Sequence, residues 1–129
     1  MKMRWLKNLF SPAQAARPTA PKSLPLEWFR VRFDDDRITL DVNPPGRPAW
    51  EARIEWGRII RVCFKAGGWE TPDEVYLFTD ERPESYLIPT IAEGGHELWL
   101  EIIRRGVFDA GLAIEAASAI DRLFCWPAE

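Results

Sequence analysis

From Trp28 to Ile88 the apolar residues of this chain tend to recur at every second position, and after Pro89 they recur at every third or fourth. That change of period constrains the fold more than any other feature. A strand shows alternate residues to one face, whereas a helix gathers residues three and four apart. Phe29, Val31 and Phe33 alternate with Arg30 and Arg32, and Ile38, Leu40 and Val42 alternate with Arg37, Thr39 and Asp41. The two runs, joined by Asp34-Asp35-Asp36, read as an antiparallel hairpin.

Asn43 to Pro48 contains three prolines and cannot join a ladder, so it is a loop. Trp50, Ala52, Ile54 and Trp56 then alternate with charged residues. Gly57 marks a bend before Ile59–Phe64, in which Ile60, Val62 and Phe64 share a side. Gly67 to Pro72 forms a second loop ahead of a strand over 74–79, and Asp80 to Pro83 turns it into a last strand over 85–88. Short connections favour antiparallel pairing, because parallel strands need long crossovers.

Past Pro89, Thr90-Ile91-Ala92-Glu93 has the spacing of a capping box, with Gly94-Gly95 delaying the helix until His96. Leu98, Trp99, Ile102 and Ile103 make one helical face, with acids towards its start, Arg104 and Arg105 at its end, and Gly106 as the stop. Asp109 caps a second helix whose stripe runs through Leu112, Ala116, Ala119, Ile120 and Leu123. The expected class is α+β: an antiparallel β-roll or strongly curved sheet of about six strands, followed by two C-terminal helices.

The chain has 129 residues, enough for one core. Its charge divides unevenly. Residues 1–26 hold five basic and no acidic side chains, and the remainder holds 12 basic against 20 acidic. Pro12, Pro18, Pro21 and Pro25 interrupt residues 11–25, which read as an extended linker between a basic amphipathic head over 1–10 and a single domain over 26–129. In the head, a helix would gather Trp5, Leu6, Leu9 and Phe10 on one face with Lys2, Arg4 and Lys7 around it. Such a segment has the character of an interfacial membrane anchor. Alone it is too short to be stable, and it either frays or packs on its own domain or a neighbouring copy.

These features exclude several classes. An acidic body lacks the footprint that nucleic acid requires. No apolar run of membrane-spanning length occurs, and the apolar stretch near the start is too short for a secretory signal, so a cytoplasmic location is expected, with weak peripheral contact to an anionic membrane left open. Cys63 and Cys125 form no metal-ligand or framework spacing and read as free thiols of a reducing compartment. Asp34-Asp35-Asp36 lacks the calcium-loop pattern and reads as a solvated turn. His96-Glu97 lacks the second histidine of a zinc helix, and Gly67-Gly68 lacks the residues of a phosphate loop. Neither a cofactor nor a metal is expected, and no catalytic residue is assigned.

Trp56, Ile59 and Val62 at three-residue spacing, Lys65, the run Thr71 to Leu77, and an acidic, glycine-containing entry to a tryptophan-bearing helix resemble a group of small uncharacterised bacterial proteins. Those proteins have a pleckstrin-homology-like roll, and some resemble immunity or adaptor proteins. The resemblance covers residues 50–103 and implies a curved antiparallel sheet closed by a helix, with no active site to carry over. The alanine-rich segment from Asp109 departs from the irregular tail such proteins carry.

Of the seven tryptophans, Trp28, Trp56 and Trp99 occupy core positions, while Trp50 and Trp126 are undecided. Trp69 stands in a glycine-rich loop beside Glu70 and Asp73, and these three are the candidate partner-binding residues. The expected function is a non-catalytic protein-interaction module of immunity or adaptor type, either monomeric or a homodimer. The alternative is a peripheral membrane domain using Lys2, Arg4, Trp5, Leu6, Lys7, Leu9 and Phe10; a small hydrolase or metal enzyme is disfavoured.

Overall fold

The computed structural model describes residues 26–128. The head and the whole of the linker, including the membrane-surface candidates Lys2, Arg4, Trp5, Leu6, Lys7, Leu9 and Phe10, lie outside the described residues. Eight strands form two four-stranded sheets accompanied by two helices, an α+β architecture. The strands are β1 (Leu26–Phe33), β2 (Arg37–Val42), β3 (Trp50–Glu55), β4 (Ile59–Ala66), β5 (Glu74–Thr79), β6 (Arg82–Pro89), β7 (Ala92–Glu93) and β8 (Arg122–Trp126). Helices α1 (Gly95–Arg104) and α2 (Ala110–Ala117) fall between β7 and β8. One sheet has the order β3-β2-β1-β7 and the other β6-β5-β4-β8, and neither closes into a barrel.

Alternation sets the register. Val31 opposes Leu40 and Phe33 opposes Ile38, which places the apolar residues of β1 and β2 on one face. The Asp34 side chain organises the turn by accepting from the backbone N–H of Asp36 at 2.8 Å and of Arg37 at 3.0 Å. Those two donors favour the ionised carboxylate and lower its pKa. In the second sheet Val62, Phe64, Val75, Leu77 and Ile88 point inward. Trp99 of α1 locks the helix to that face: its ring stacks on Phe64 at 4.5 Å and lies 4.9 Å from Phe108. Leu98, Ile102 and Phe108 are fully buried beside it.

Several expectations are corrected. There are eight strands in two sheets rather than about six in one, and the helices are followed by a strand rather than closing the described chain. The second helix stops at Ala117, with Ser118 as its C-cap. Asp121 then adopts a left-handed conformation (φ 56°), and β8 pairs antiparallel along β4, with Phe124 directed into the core. Burying Phe124 and completing a ladder on the exposed edge of β4 outweighs one more helical turn. Leu123, assigned to the helical stripe, is therefore exposed, as is Ile120.

Thr90 and Glu93 form no capping box. Ala92 and Glu93 pair in parallel with β1, Thr90 Oγ1 donates to the Asp73 carbonyl at 3.2 Å, and Gly94 occupies the N-cap. At Gly94 φ is 82°, and a Cβ there would lie 2.2 Å from the Val31 carbonyl oxygen, so only glycine fits. Ile60 is exposed rather than aligned with Val62, because an irregularity in the β4–β5 register between Ile59 and Arg61 shifts the alternation. Trp28 lies on the outer face of β1, opposite in sense to Phe29, and is also exposed.

Cys63 and Cys125 are not free thiols. They occupy opposed positions of β4 and β8 and form a disulfide that bridges a sequence separation of 62 residues. A reducing compartment therefore no longer follows from the cysteines. No helix among the described residues is long and apolar enough to cross a membrane.

Candidate functional site: an apolar groove between the helices

Helix α1 carries two apolar faces. Leu98, Trp99 and Ile102 turn into the core. His96, Trp99, Leu100 and Ile103, spaced i, i+3, i+4 and i+7, line the wall of an open groove. Helix α2 supplies the opposite wall with the same spacing, from Ala110, Ala113, Ile114 and Ala117. Three alanines among those four positions keep that wall shallow, and the groove between the helices has a volume of about 750 Å³. Leu100 is 52% exposed and Ile114 74% exposed, although each sits on an ordered helix beside apolar neighbours.

Local sequence explains why α2 stands where it does. Gly106 is left-handed (φ 76°) and ends the reversal after α1. Asp109 Oδ2 accepts from Leu112 N at 2.8 Å, fixing the first turn of α2. Leu112 and Ala116 anchor that helix to the core, which leaves Ile114 on the outward side.

Carboxylates occupy other faces of the two helices. Glu97 of α1 and Glu115 of α2 are exposed, each one residue away from a groove-lining position. Glu101, further round α1, is engaged by Arg104 and by Arg105, whose Nε lies 2.8 Å from Glu101 Oε2. Hydrogen bonds from Arg104, and secondarily Arg105, pull the Glu101 carboxyl from its ordinary 4.5 down to about 2. Arg105 also lies over the Trp56 ring at 4.0 Å, and Trp56 Nε1 donates to the Asp34 carbonyl at 2.9 Å. This polar cluster ties the C-terminal end of α1 to the β1–β2 turn.

The loop carrying Trp69 abuts the other end of the helix pair. Asp121 N, just past α2, donates to Gly67 O at 3.3 Å, and Asp73, His96 and Ala117 line one small cavity of about 50 Å³. Trp69 is 81% exposed and Glu70 is exposed beside it. Asp73 has a different place. Its Oδ1 accepts from Gly67 N at 2.7 Å and its carbonyl accepts from Thr90 N at 3.0 Å, so it braces the loop from within. Trp69 and Glu70 therefore sit at the surface, and Asp73 holds the backbone that presents them.

A second hollow, of about 730 Å³, lies between Trp28, Trp50, the prolines of the β2–β3 loop and Leu87. It is separate from the helix groove. No group of three or more His, Cys, Asp or Glu side chains that could hold a metal ion occurs among the described residues.

Sequence reasoning found Trp99 and Ile103 but read them as one core stripe, and it missed the groove. The signal was present: Leu100 and Ile114 are apolar residues off the core stripe of their helices, at equivalent positions within the two outward faces. The chain matches no family model, no curated protein and no solved structure.

Proposed function

We propose that this protein is a non-catalytic interaction module that receives an amphipathic helix of another protein in the α1–α2 groove. The observation that carries this reading is the pair of parallel-spaced apolar stripes, one on each helix, exposed side by side. A third helix laid between them would cover Leu100, Ile103 and Ile114, and the alanine wall of α2 gives its side chains room. Trp69, exposed on the loop that abuts the helix pair, would add an aromatic anchor of the kind that dominates interface energetics. The two sheets serve as the rigid support, as an adaptor or immunity protein requires.

The test is a titration with a synthetic helical peptide of roughly fourteen residues, bearing leucine and tryptophan at i, i+3, i+4 and i+7 and lysine elsewhere. Ile114→Asp, at a highly exposed position, should leave the fold intact and weaken peptide binding at least about tenfold. Equal binding by wild type and Ile114→Asp would place the peptide elsewhere and end this reading.

A further inference from the structure

We infer that the hollow framed by Trp28 and Trp50 is a second docking site, separate from the helix groove, and that it takes a proline-rich segment of a partner with an acidic residue beside its prolines. Its walls come from both sheets. Trp28 and Phe29 of β1 and Trp50 of β3 supply one side, and Leu87 and Pro89 of β6 the other. Phe29 is buried, and its ring centroid lies 6.1 Å from that of Trp28 and 6.1 Å from that of Trp50. Both indoles are exposed, which leaves an aromatic surface beside a loop stiffened by Pro44, Pro45 and Pro48.

The walls select among occupants. A small molecule is held where most of its surface is enclosed, whereas Trp28, Trp50 and Leu87 are all exposed and form a trough that leaves one side of its occupant in water. A β-strand needs a row of backbone donors. The β2–β3 loop has no such row, because its three prolines lack the N–H and the N–H groups of Asn43 and Arg47 already donate to Trp28 O at 2.7 Å and Pro44 O at 3.2 Å. A helix is about 10–12 Å across, too wide to lie between rings whose centroids are no more than about 12 Å apart once the rings' own thickness is counted. A polyproline segment meets each condition. Its backbone needs no ladder, and its prolines recur about 9 Å apart along one ridge, within reach of both rings. Neither indole N–H has an acceptor among the described residues, so each can donate to a carbonyl of the segment.

Arg47 sets the charge of the partner. It is the one charged side chain lining the hollow among the described residues, it is exposed, and its guanidinium makes no ion pair or hydrogen bond with them. A carboxylate next to the prolines supplies the missing counter-charge and fixes which way the segment runs. The acidic residues Glu27 and Asp41 line a different, polar hollow that shares only Trp28 with this one.

The experiment titrates the full chain with two capped proline-repeat peptides of about ten residues, one carrying two glutamates and the other two lysines in their place. Wild type should bind the glutamate peptide at least about fivefold more tightly than the lysine peptide, with the indole N–H signals of Trp28 and Trp50 shifting on binding. Arg47→Glu, at an exposed loop position, should reverse that order while keeping the wild-type melting curve. Ile114→Asp should bind the glutamate peptide as wild type does, so that failure of the helix groove and failure of this hollow are read separately. Equal affinity of wild type and Arg47→Glu for the glutamate peptide would overturn the inference, and so would loss of binding in Ile114→Asp, which would place the peptide in the helix groove. Binding of neither peptide by wild type at millimolar concentration would also overturn it, and Arg47-dependent binding of indole-3-acetate in that case would assign the hollow to a small aromatic acid instead.

Discussion

Reducing the Cys63–Cys125 bond should cost this protein a large part of its stability. The bond closes a sequence separation of 62 residues. In the loop-entropy treatment, a loop of that size restricts the unfolded chain by about 14 cal/mol/K, or about 4 kcal/mol at 25 °C. Set against a total of about 5–15 kcal/mol for a domain, that is about a quarter of the stability or more. Reduction removes no side-chain volume, so little of the loss comes from packing, and β8 keeps its ladder to β4 and its buried Phe124. The assay is urea unfolding of the same preparation with and without a phosphine reductant, followed by tryptophan fluorescence. For slopes of about 1–3 kcal/mol/M the reduced midpoint should lie roughly 1–4 M lower. Midpoints within about 0.3 M of each other would refute the entropic reasoning. Alkylation of both cysteines in the folded, unreduced protein would refute the bond itself.

Trp99→Ala should cost about 3–5 kcal/mol, because the ring is buried between Phe64 and Phe108; a melting curve little changed from wild type would remove Trp99 from the core. Trp69→Ala, at an exposed loop position, should shift stability by no more than about 0.5 kcal/mol while weakening helix-peptide binding. Glu101 has a depressed pKa, so the stability it contributes is fully present above about 4.5 and is lost as pH falls through about 2. Glu101→Gln should flatten the acid limb of a stability–pH profile in that window, and an unchanged limb would show that the arginine contacts do not persist in solution. Deleting residues 1–25 should leave a cooperatively folding domain, since residues 26–128 contain a continuous core; a non-cooperative melt would show that the first 25 residues are part of it.

Much of the sheet was legible from the sequence because period-two alternation is a direct image of a half-buried strand. The hairpin of β1 and β2, the loop at Pro44 to Pro48, and strands β5 and β6 all carry that image or its interruption. Helix α1 was legible from Leu98, Trp99 and Ile102 for the same kind of reason. What failed was local pattern overruled by distant pairing. Leu123 and Phe124 extend a plausible helical stripe, and nothing nearby shows that β4 has a free edge opposite them. Cys63 and Cys125 show no relation in sequence because their proximity is a consequence of that same pairing. The Thr90–Glu93 spacing suits a cap, yet the two residues before Gly94 are taken up by β1.

The groove was hidden for a further reason. A stripe read from one helix does not say whether a second helix lies alongside with its own stripe turned the same way. Trp99 contributes to both the core and the groove, so the simpler core assignment absorbed its neighbours. Leu100 and Ile114 acquire meaning once α1 and α2 are placed side by side.

The most direct measurement of the docking surface is amide chemical-shift mapping of the isotopically labelled chain during titration with the lysine- and leucine-bearing helical peptide. The expected shifts fall along His96, Leu100 and Ile103 of α1 and Ala110, Ala113 and Ile114 of α2, with the indole N–H of Trp69 moving as well. Shifts confined to Trp28, Trp50 and the proline loop between them, or no shifts at saturating peptide, would contradict a helix-docking role for the groove.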